Sequence, residues 1–403
     1  MITLNNDQQR VFNEAVNWWK TKNTQTFEIS GPPGSGKTFL LNYIIDFLKI
    51  DRCRIAPMAY TGAAAINMRN KGMSNARTCY SWLYDCVQVP VLDENGNQVM
   101  DKLFNKPKMK FKFVEKQLLG DIDLIVVDEA GAVPPDIRTV IDKQGIPVLA
   151  TGDLDQLPPI QGKSAYLNDP SKVHIINEIM RQNANNDIIL LSQRLKQGLP
   201  INNGLYRNVL VIYEDELTID MIRRSRIIIC GKNDTRERYT NLIRHNILGI
   251  QSKLPLFGER VVCRKNNWNI DNNDGINLTN GLLGTVTDYP DVYGYDVKRS
   301  TYTLSFKPDL CLLPFNEIEC DYKYLVAPPK VRNEIKNSPY SNGEKFEFGY
   351  AITTHTSQGS EFDTGIYLEE WLNPQINNKL NYVGITRFKN FCIYVKKRPK
   401  KFY

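Results

Sequence analysis

Histidine is scarce in this chain, with 3 in 403 residues, and the 8 cysteines are scattered without a CxxC pair. That combination argues against a structural zinc cluster or a disulfide framework and predicts reduced, mostly buried thiols. Long apolar runs are also missing. Stretches such as "LIVV" and "RIIICG" fall far short of the ~20 residues a membrane span needs, and no basic-then-apolar leader opens the sequence. The expectation is a cytoplasmic protein with no membrane partner. Internal repeats and low-complexity segments are absent too, which excludes solenoids and coiled-coil arrays.

What is present is an ordinary globular composition, 42% hydrophobic and 24% charged, with a formal net charge of +7. The length allows two or three domains. A positive balance favours polyanionic partners, nucleic acid above all, because it raises encounter rates with polyphosphates. The terminal run "KKRPKKFY" adds to that balance, though solvated charge runs at chain ends are common.

Several short β-branched runs stop abruptly at polar or glycine residues: "TFEIS", "DLIVVDEA", "IPVLATGD", "RIIICGKND", "YAITTHTSQG" and "FCIYVKK". Buried parallel strands read this way, and segments with helical periodicity lie between them, as in "NDQQRVFNEAVNWWK" and "DTRERYTNLIRHNIL". The spacing predicts a doubly wound α/β protein with its sites at the carboxyl ends of strands. Two regions break the pattern. Residues 85–115 carry an "ENGN" turn between alternating segments, which predicts a β-hairpin or small insertion, and residues 254–344 read as a small all-β module.

The stretch "GPPGSGKT" at Gly31 to Thr38 fits G-x-x-x-x-G-K-[ST], preceded by an apolar strand and followed by an amphipathic helix. Gly34, Ser35 and Gly36 let backbone N–H groups close around phosphate oxygens, Lys37 supplies a full charge, and the Thr38 hydroxyl suits magnesium. Downstream, "LIVVDEA" ends a strand on Asp128 and Glu129. In phosphate-loop enzymes the aspartate holds Mg²⁺ and the glutamate orients and deprotonates the attacking water. A lone "DE" is usually a solvated strand end; behind a phosphate loop it points to hydrolysis. "LATGDLDQLPPI" then places Gln156 where an amide can bond the γ-phosphate or that water. By itself this last pattern reads as a turn.

The order "GPPGSGKT", "VVDEA", "GDLDQLPP", "IMRQN", "TTHTSQGSEFD", "NYVGITR" resembles that of superfamily 1 helicases, most of all the superfamily 1B branch containing RecD and the phage Dda-type DNA helicases. The resemblance runs from "LNNDQQRVF" to "NYVGITR". It implies two RecA-like domains, 1–84 with 116–190 and 191–253 with 345–403, a hairpin pin at 85–115 and an SH3-like β-barrel at 254–344. It implies ATP and Mg²⁺ as cofactors, single-stranded and forked duplex DNA as partners, the cytoplasm of a bacterium or a phage-infected host, and 5′-to-3′ translocation, a direction that no local chemistry sets; both halves of the cleft lying in one chain predicts a monomer. Gln8 matches the adenine-reading glutamine, with Gln9 beside it as a rival. Arg181 and Arg387 match the γ-phosphate arginines, and Gln358, Gly359 and Glu361 the segment linking nucleotide to nucleic acid. Thr61, Thr78, Thr354 and His355 match backbone-contacting positions, where short donors read phosphate without sequence preference. Tyr80, with Trp82, is a stacking candidate, and a core role suits Trp82 equally. The chain departs from the family at Tyr60, Tyr80 and Thr356, which leaves the hydrolysis residues intact and alters the strand contacts. An RNA helicase, or a nucleotide-switched remodeller that separates no strands, shares the same residues.

Overall fold

The computed structural model describes residues 4–100, 107–118, 120–159, 162–179, 186–288, 300–337, 343–374 and 376–398. The chain forms two compact units: Met1–Thr78, Gly120–Gln251 and Phe348–Tyr403 make the first, Cys79–Leu119 and Ser252–Glu347 the second.

The first unit is built on two sheets. One contains β1 (Thr26–Ser30), β2 (Ile55–Ala59), β3 (Arg77–Thr78), β4 (Leu124–Asp128), β5 (Val148–Gly152) and β6 (Val173–Ile175), in the order β3-β2-β4-β5-β1-β6. Every pairing in it is parallel. β2 and β5 are buried along their whole length, and β4 to its last residue, which is why they read as unbroken apolar runs. The other sheet contains β7 (Gly204–Leu205), β8 (Val209–Tyr213), β9 (Ile228–Cys230), β10 (Ala351–Thr353), β11 (Phe362–Leu368) and β12 (Phe388–Lys396), in the order β10-β9-β11-β12-β8-β7. It is parallel apart from the short edge strand β7.

Helix α1 (Asn6–Thr21) starts at a capping box, in which Asn5 accepts from the Gln8 N–H and the Gln8 side chain accepts from the Asn5 N–H. Its Val11, Phe12, Ala15 and Trp18, spaced by three and four, pack into the core beside Phe27, Ile29, Leu40 and Ile44. Full burial of each large side chain contributes about 1.5–3 kcal/mol. The helical reading of "DTRERYTNLIRHNIL" appears as an α-helix over Asn233–Asn241 that continues as a π-helical stretch over Leu242–Ile247.

In the second unit, Leu283–Val286 pairs antiparallel with Arg260–Cys263 and with Thr301–Pro308, which in turn pairs with Phe315–Asp321. A separate ladder joins Tyr84–Pro90 to Met109–Glu115 in antiparallel register. The "ENGN" turn is not the tip between these two strands: it closes a smaller reversal bridged at Leu92 and Gln98. All 8 cysteines are free; Cys53 is exposed, Cys86 half-buried and the rest buried. Among the described residues no helix is long and apolar enough to cross a membrane, and no group of three or more His, Cys, Asp or Glu side chains could hold a metal ion.

Candidate nucleotide site

The carboxyl ends of β1, β4 and β5 surround the phosphate loop. Gly34 and Gly36 sit at φ 82° and 79°, conformations glycine adopts without strain, and Gly36 directly precedes the helix α2 (Lys37–Phe47). The Lys37 ammonium donates to the carbonyls of Gly31 at 2.6 Å and Pro32 at 3.0 Å. Among the described residues the buried Ser35 hydroxyl has no hydrogen-bond partner. A cleft of about 260 Å³ opens beside this loop. Gly34, Gly36, Lys37, Thr38, Asp128, Glu129 and Gln156 line it, and so do Gly359, Glu361 and Arg387, supplied by the segments around the second sheet.

Asp128, at the end of β4, accepts from the Thr151 hydroxyl at 2.6 Å and from the Glu129 N–H at 3.0 Å. These two bonds aim one carboxylate oxygen and leave the other to the cleft. Glu129 lies at φ 50°, in the left-handed region, an uncommon conformation for a residue other than glycine. Burial, and then Asp128, push its carboxyl above the usual range, while Arg387 and Lys37 pull it down. A carboxyl raised in this way is suited to take a proton. Arg387 is 5% exposed, with its Nε donating to the Val383 carbonyl at 3.2 Å. A guanidinium and an ammonium from distant parts of the chain thus act on one carboxylate. Thr38 and Asp128 offer the hard oxygen donors that Mg²⁺ takes alongside phosphate oxygens and water, so the residues fit that ion. Arg181 lies outside the described residues.

Gln8 is 1% exposed, and both ends of its amide are engaged: Nε2 donates to Ser35 O at 2.9 Å, and Oε1 accepts from Asn5 N at 3.2 Å. It braces the phosphate loop, and a second N–H and a second oxygen lone pair remain on the amide. Gln9 is exposed and bonds Asn13. Gln358 donates to Leu157 O at 3.1 Å. Gly359, at φ 78°, approaches the helix that Thr61 caps so closely that an added Cβ would meet the Thr61 hydroxyl at 2.8 Å. Glu361 is held by Lys71 at 3.2 Å and Lys389 at 2.8 Å. Its burial would raise the carboxyl, but the two lysines outweigh that and bring it down to about 2.

The expected strand-contacting residues divide. Thr61 accepts from the Ala64 N–H as a helix cap. Thr78 ends the edge strand β3 and is buried. The Thr354 hydroxyl is fully buried and donates to Cys230 O at 3.2 Å, so it ties the loop after β10 to β9 and is not presented at a surface. His355 is half-buried, and burial lowers its pKa, which favours the neutral ring. Tyr80 belongs to the second unit, in a cluster of rings with Tyr84 at 5.4 Å, Phe113 at 5.2 Å and Trp268 at 6.2 Å.

Sequence reasoning missed Thr151, the Asn67 and Lys71 contacts to Gly359 and Glu361, and the contact between Tyr382 and Asp153. Thr151 carried a local signal only: it stands in "LATGD", next to last in the strand Val148–Gly152 that ends at the cleft. The others had none.

The family described as an AAA domain matches residues 3–216. A curated relative, the ATP-dependent DNA helicase Pif1 of Psychrobacter sp. (strain PRwf-1), is 28% identical over 147 residues, covering 35% of this chain and 21% of its own length. The RecBCD enzyme subunit RecD of Buchnera aphidicola subsp. Acyrthosiphon pisum (strain APS) is 22% identical over 91% of this chain and 68% of its own. Among solved structures, two coordinating Pif1 helicases at forked dsDNA match with a TM-score of 0.54 at 19% identity, over 98% of this chain and 92% of that one. The Bacteroides Pif1 helicase in complex with ADP-AlF3 and ssDNA matches with a TM-score of 0.50 at 19% identity, over the same shares, 98% and 92%. With the match covering more than half of its length, the chain belongs to the AAA-domain family, and it has the fold of the Pif1 helicases.

Proposed function

We propose that this chain is an ATP-dependent DNA helicase that moves 5′ to 3′ on single-stranded DNA and unwinds forked duplex. One observation carries the reading: Lys37 and Arg387, which come from the two sheets' separate segments, line one cleft and both draw down the same carboxyl, Glu129. In this reading the segments 1–84 with 116–190 and 191–253 with 345–403 act as two RecA-like lobes. ATP closes them together, and hydrolysis releases them. Thr38 and Asp128 would hold Mg²⁺, which neutralises charge on the phosphates. Glu129 orients the attacking water and accepts its proton, Gln156 senses the γ-phosphate, and Arg387, with Arg181, stabilises charge building on the transferred group. Having both halves of the cleft in one chain suits a monomer.

The assay that tests this compares ATP turnover without polymer, with single-stranded DNA and with single-stranded RNA, alongside unwinding of duplexes bearing only a 5′ or only a 3′ tail. Stimulation by DNA, unwinding from the 5′ tail and an affinity that falls steeply with salt are expected, the last because phosphate contacts release counterions. Equal stimulation by RNA would favour the RNA-helicase reading. Turnover with no unwinding from either tail would favour the remodeller.

The hairpin of residues 85–115 is proposed as the pin that separates the strands, and residues 254–344 as an SH3-like module. Shortening the tip between Pro90 and Met109, which leaves the ladder Tyr84–Pro90 with Met109–Glu115 intact, should abolish unwinding and spare DNA-stimulated ATP turnover. Unwinding at the normal rate in that variant rejects the pin.

A further inference from the structure

The segment Gly152–Leu157, which carries Gln156, is tied down on both sides of the cleft. Towards the phosphate loop, Gly31 N donates to Gly152 O at 3.1 Å, and Leu154 N to the Ser30 hydroxyl at 3.0 Å. Towards the helix Asn377–Ile385, Lys379 donates to Leu154 O at 3.4 Å, and Leu157 packs against Leu380, Tyr382 and Val383. At the centre of this grip the Tyr382 hydroxyl donates to the Asp153 carboxylate, between residues 229 positions apart. Both side chains are buried.

Each partner is coupled to a group that faces the nucleotide. Asp153 shapes the turn that presents Gln156: its carboxylate accepts from Asp155 N at 2.9 Å and its carbonyl from Gln156 N at 3.2 Å. Tyr382 lies on the helix that leads into Arg387, one residue before the Val383 whose carbonyl holds the arginine's Nε. A buried carboxylate deprived of a donor is strongly disfavoured, so the loop would rearrange to recover one.

We propose that Tyr382 is a positioning residue for hydrolysis: its hydrogen bond to Asp153 sets the register between Gln156 and Arg387, so that both meet the transferred phosphoryl group together. This rests on the reading of the cleft as a site of ATP turnover. The opposing interpretation is a tyrosine that merely fills the core. The two part company at Tyr382→Phe, which keeps the ring and removes only the donor.

The test measures kcat and KM for ATP, with saturating Mg²⁺ and a single-stranded oligonucleotide, in the unaltered chain and in Y382F, D153A, D153N and the Y382F/D153A double variant. In Y382F kcat is expected to fall about tenfold, the factor corresponding to the free energy of one hydrogen bond, with KM changed by less than about twofold. The double variant should be no slower than D153A alone, since both changes remove one interaction. D153N keeps one acceptor oxygen, enough for the tyrosine at the Oδ2 position but not also for the Asp155 N–H at Oδ1, and should recover part of the activity that D153A loses. A Y382F enzyme within twofold of the unaltered chain, or a double variant whose loss is the product of the single losses, overturns the proposal. Should Y382F fail to fold, D153N against D153A decides, and equal losses in those two overturn it. If the unaltered chain turns over no ATP at all, the hydrolysis reading fails and takes this proposal with it, an outcome separate from normal turnover in Y382F.

Discussion

Lys37→Ala should lower ATP turnover by about three orders of magnitude while leaving the fold in place. A unit charge about 4 Å from a phosphate oxygen contributes about 4 kcal/mol at an effective dielectric constant of 20, which converts to a factor near 10³ in rate. Lys37 is placed to supply that interaction, because its ammonium already sits in the cleft, held by the Gly31 and Pro32 carbonyls. Stability should be nearly unaffected, since the buried face of α2 consists of Leu40, Leu41, Ile44 and Ile45, which the substitution does not touch. A secondary effect has the same sign. Lys37 draws down the carboxyls of both Glu129 and Asp153, so removing it pushes both further up, which reduces the ionised fraction of Glu129, the proposed proton acceptor. Turnover in saturating Mg²⁺ and DNA, paired with a melting curve, checks the expectation. Retention of a tenth of the normal kcat by a well-folded Lys37→Ala chain is incompatible with a phosphate-loop hydrolase.

How far the sequence could be read depended on whether the information was local. Strands such as Leu124–Asp128 and Val148–Gly152 announce themselves because a parallel strand covered on both faces must be apolar throughout and must stop where the site begins. The phosphate loop is legible for a similar reason: glycines at positive φ, a lysine and a helix start occur within eight residues. The "ENGN" turn misled because turn chemistry marks a reversal and says nothing about which distant strand completes the ladder. The partner of Tyr84–Pro90 begins only at Met109. Thr354 shows a second limit, since residue type does not reveal whether a hydroxyl faces the polymer or, as here, the Cys230 carbonyl. Contacts such as Thr151 to Asp128, Lys71 to Glu361 and Tyr382 to Asp153 join residues far apart in the chain, and a single sequence carries no pairwise signal for them.

Arg387→Ala should produce a loss at least as large as that of Lys37→Ala, about 10³-fold or more in kcat, the low end of what an arginine at a phosphoryl-transfer site contributes. The argument starts from burial. A guanidinium that is 5% exposed is weakly screened and acts at low effective dielectric on whatever charge develops beside it. The cleft wall it forms with Lys37, Glu129 and Gln156 is where that charge must appear if a phosphoryl group is transferred. Arg387→Lys should recover little of the activity. A lysine ammonium is a compact point charge that cannot reproduce the planar fork, and it would also have to replace the bond from Nε to the Val383 carbonyl. The two kinetic constants separate this role from simple nucleotide affinity. A group that acts on the transition state lowers kcat and leaves KM for ATP nearly unchanged, whereas a group that only binds nucleotide raises KM and spares kcat. A raised KM with normal kcat in Arg387→Ala would show that the arginine holds ATP without assisting its hydrolysis, and the coupling of the two lobes through the γ-phosphate would have to be assigned to other residues.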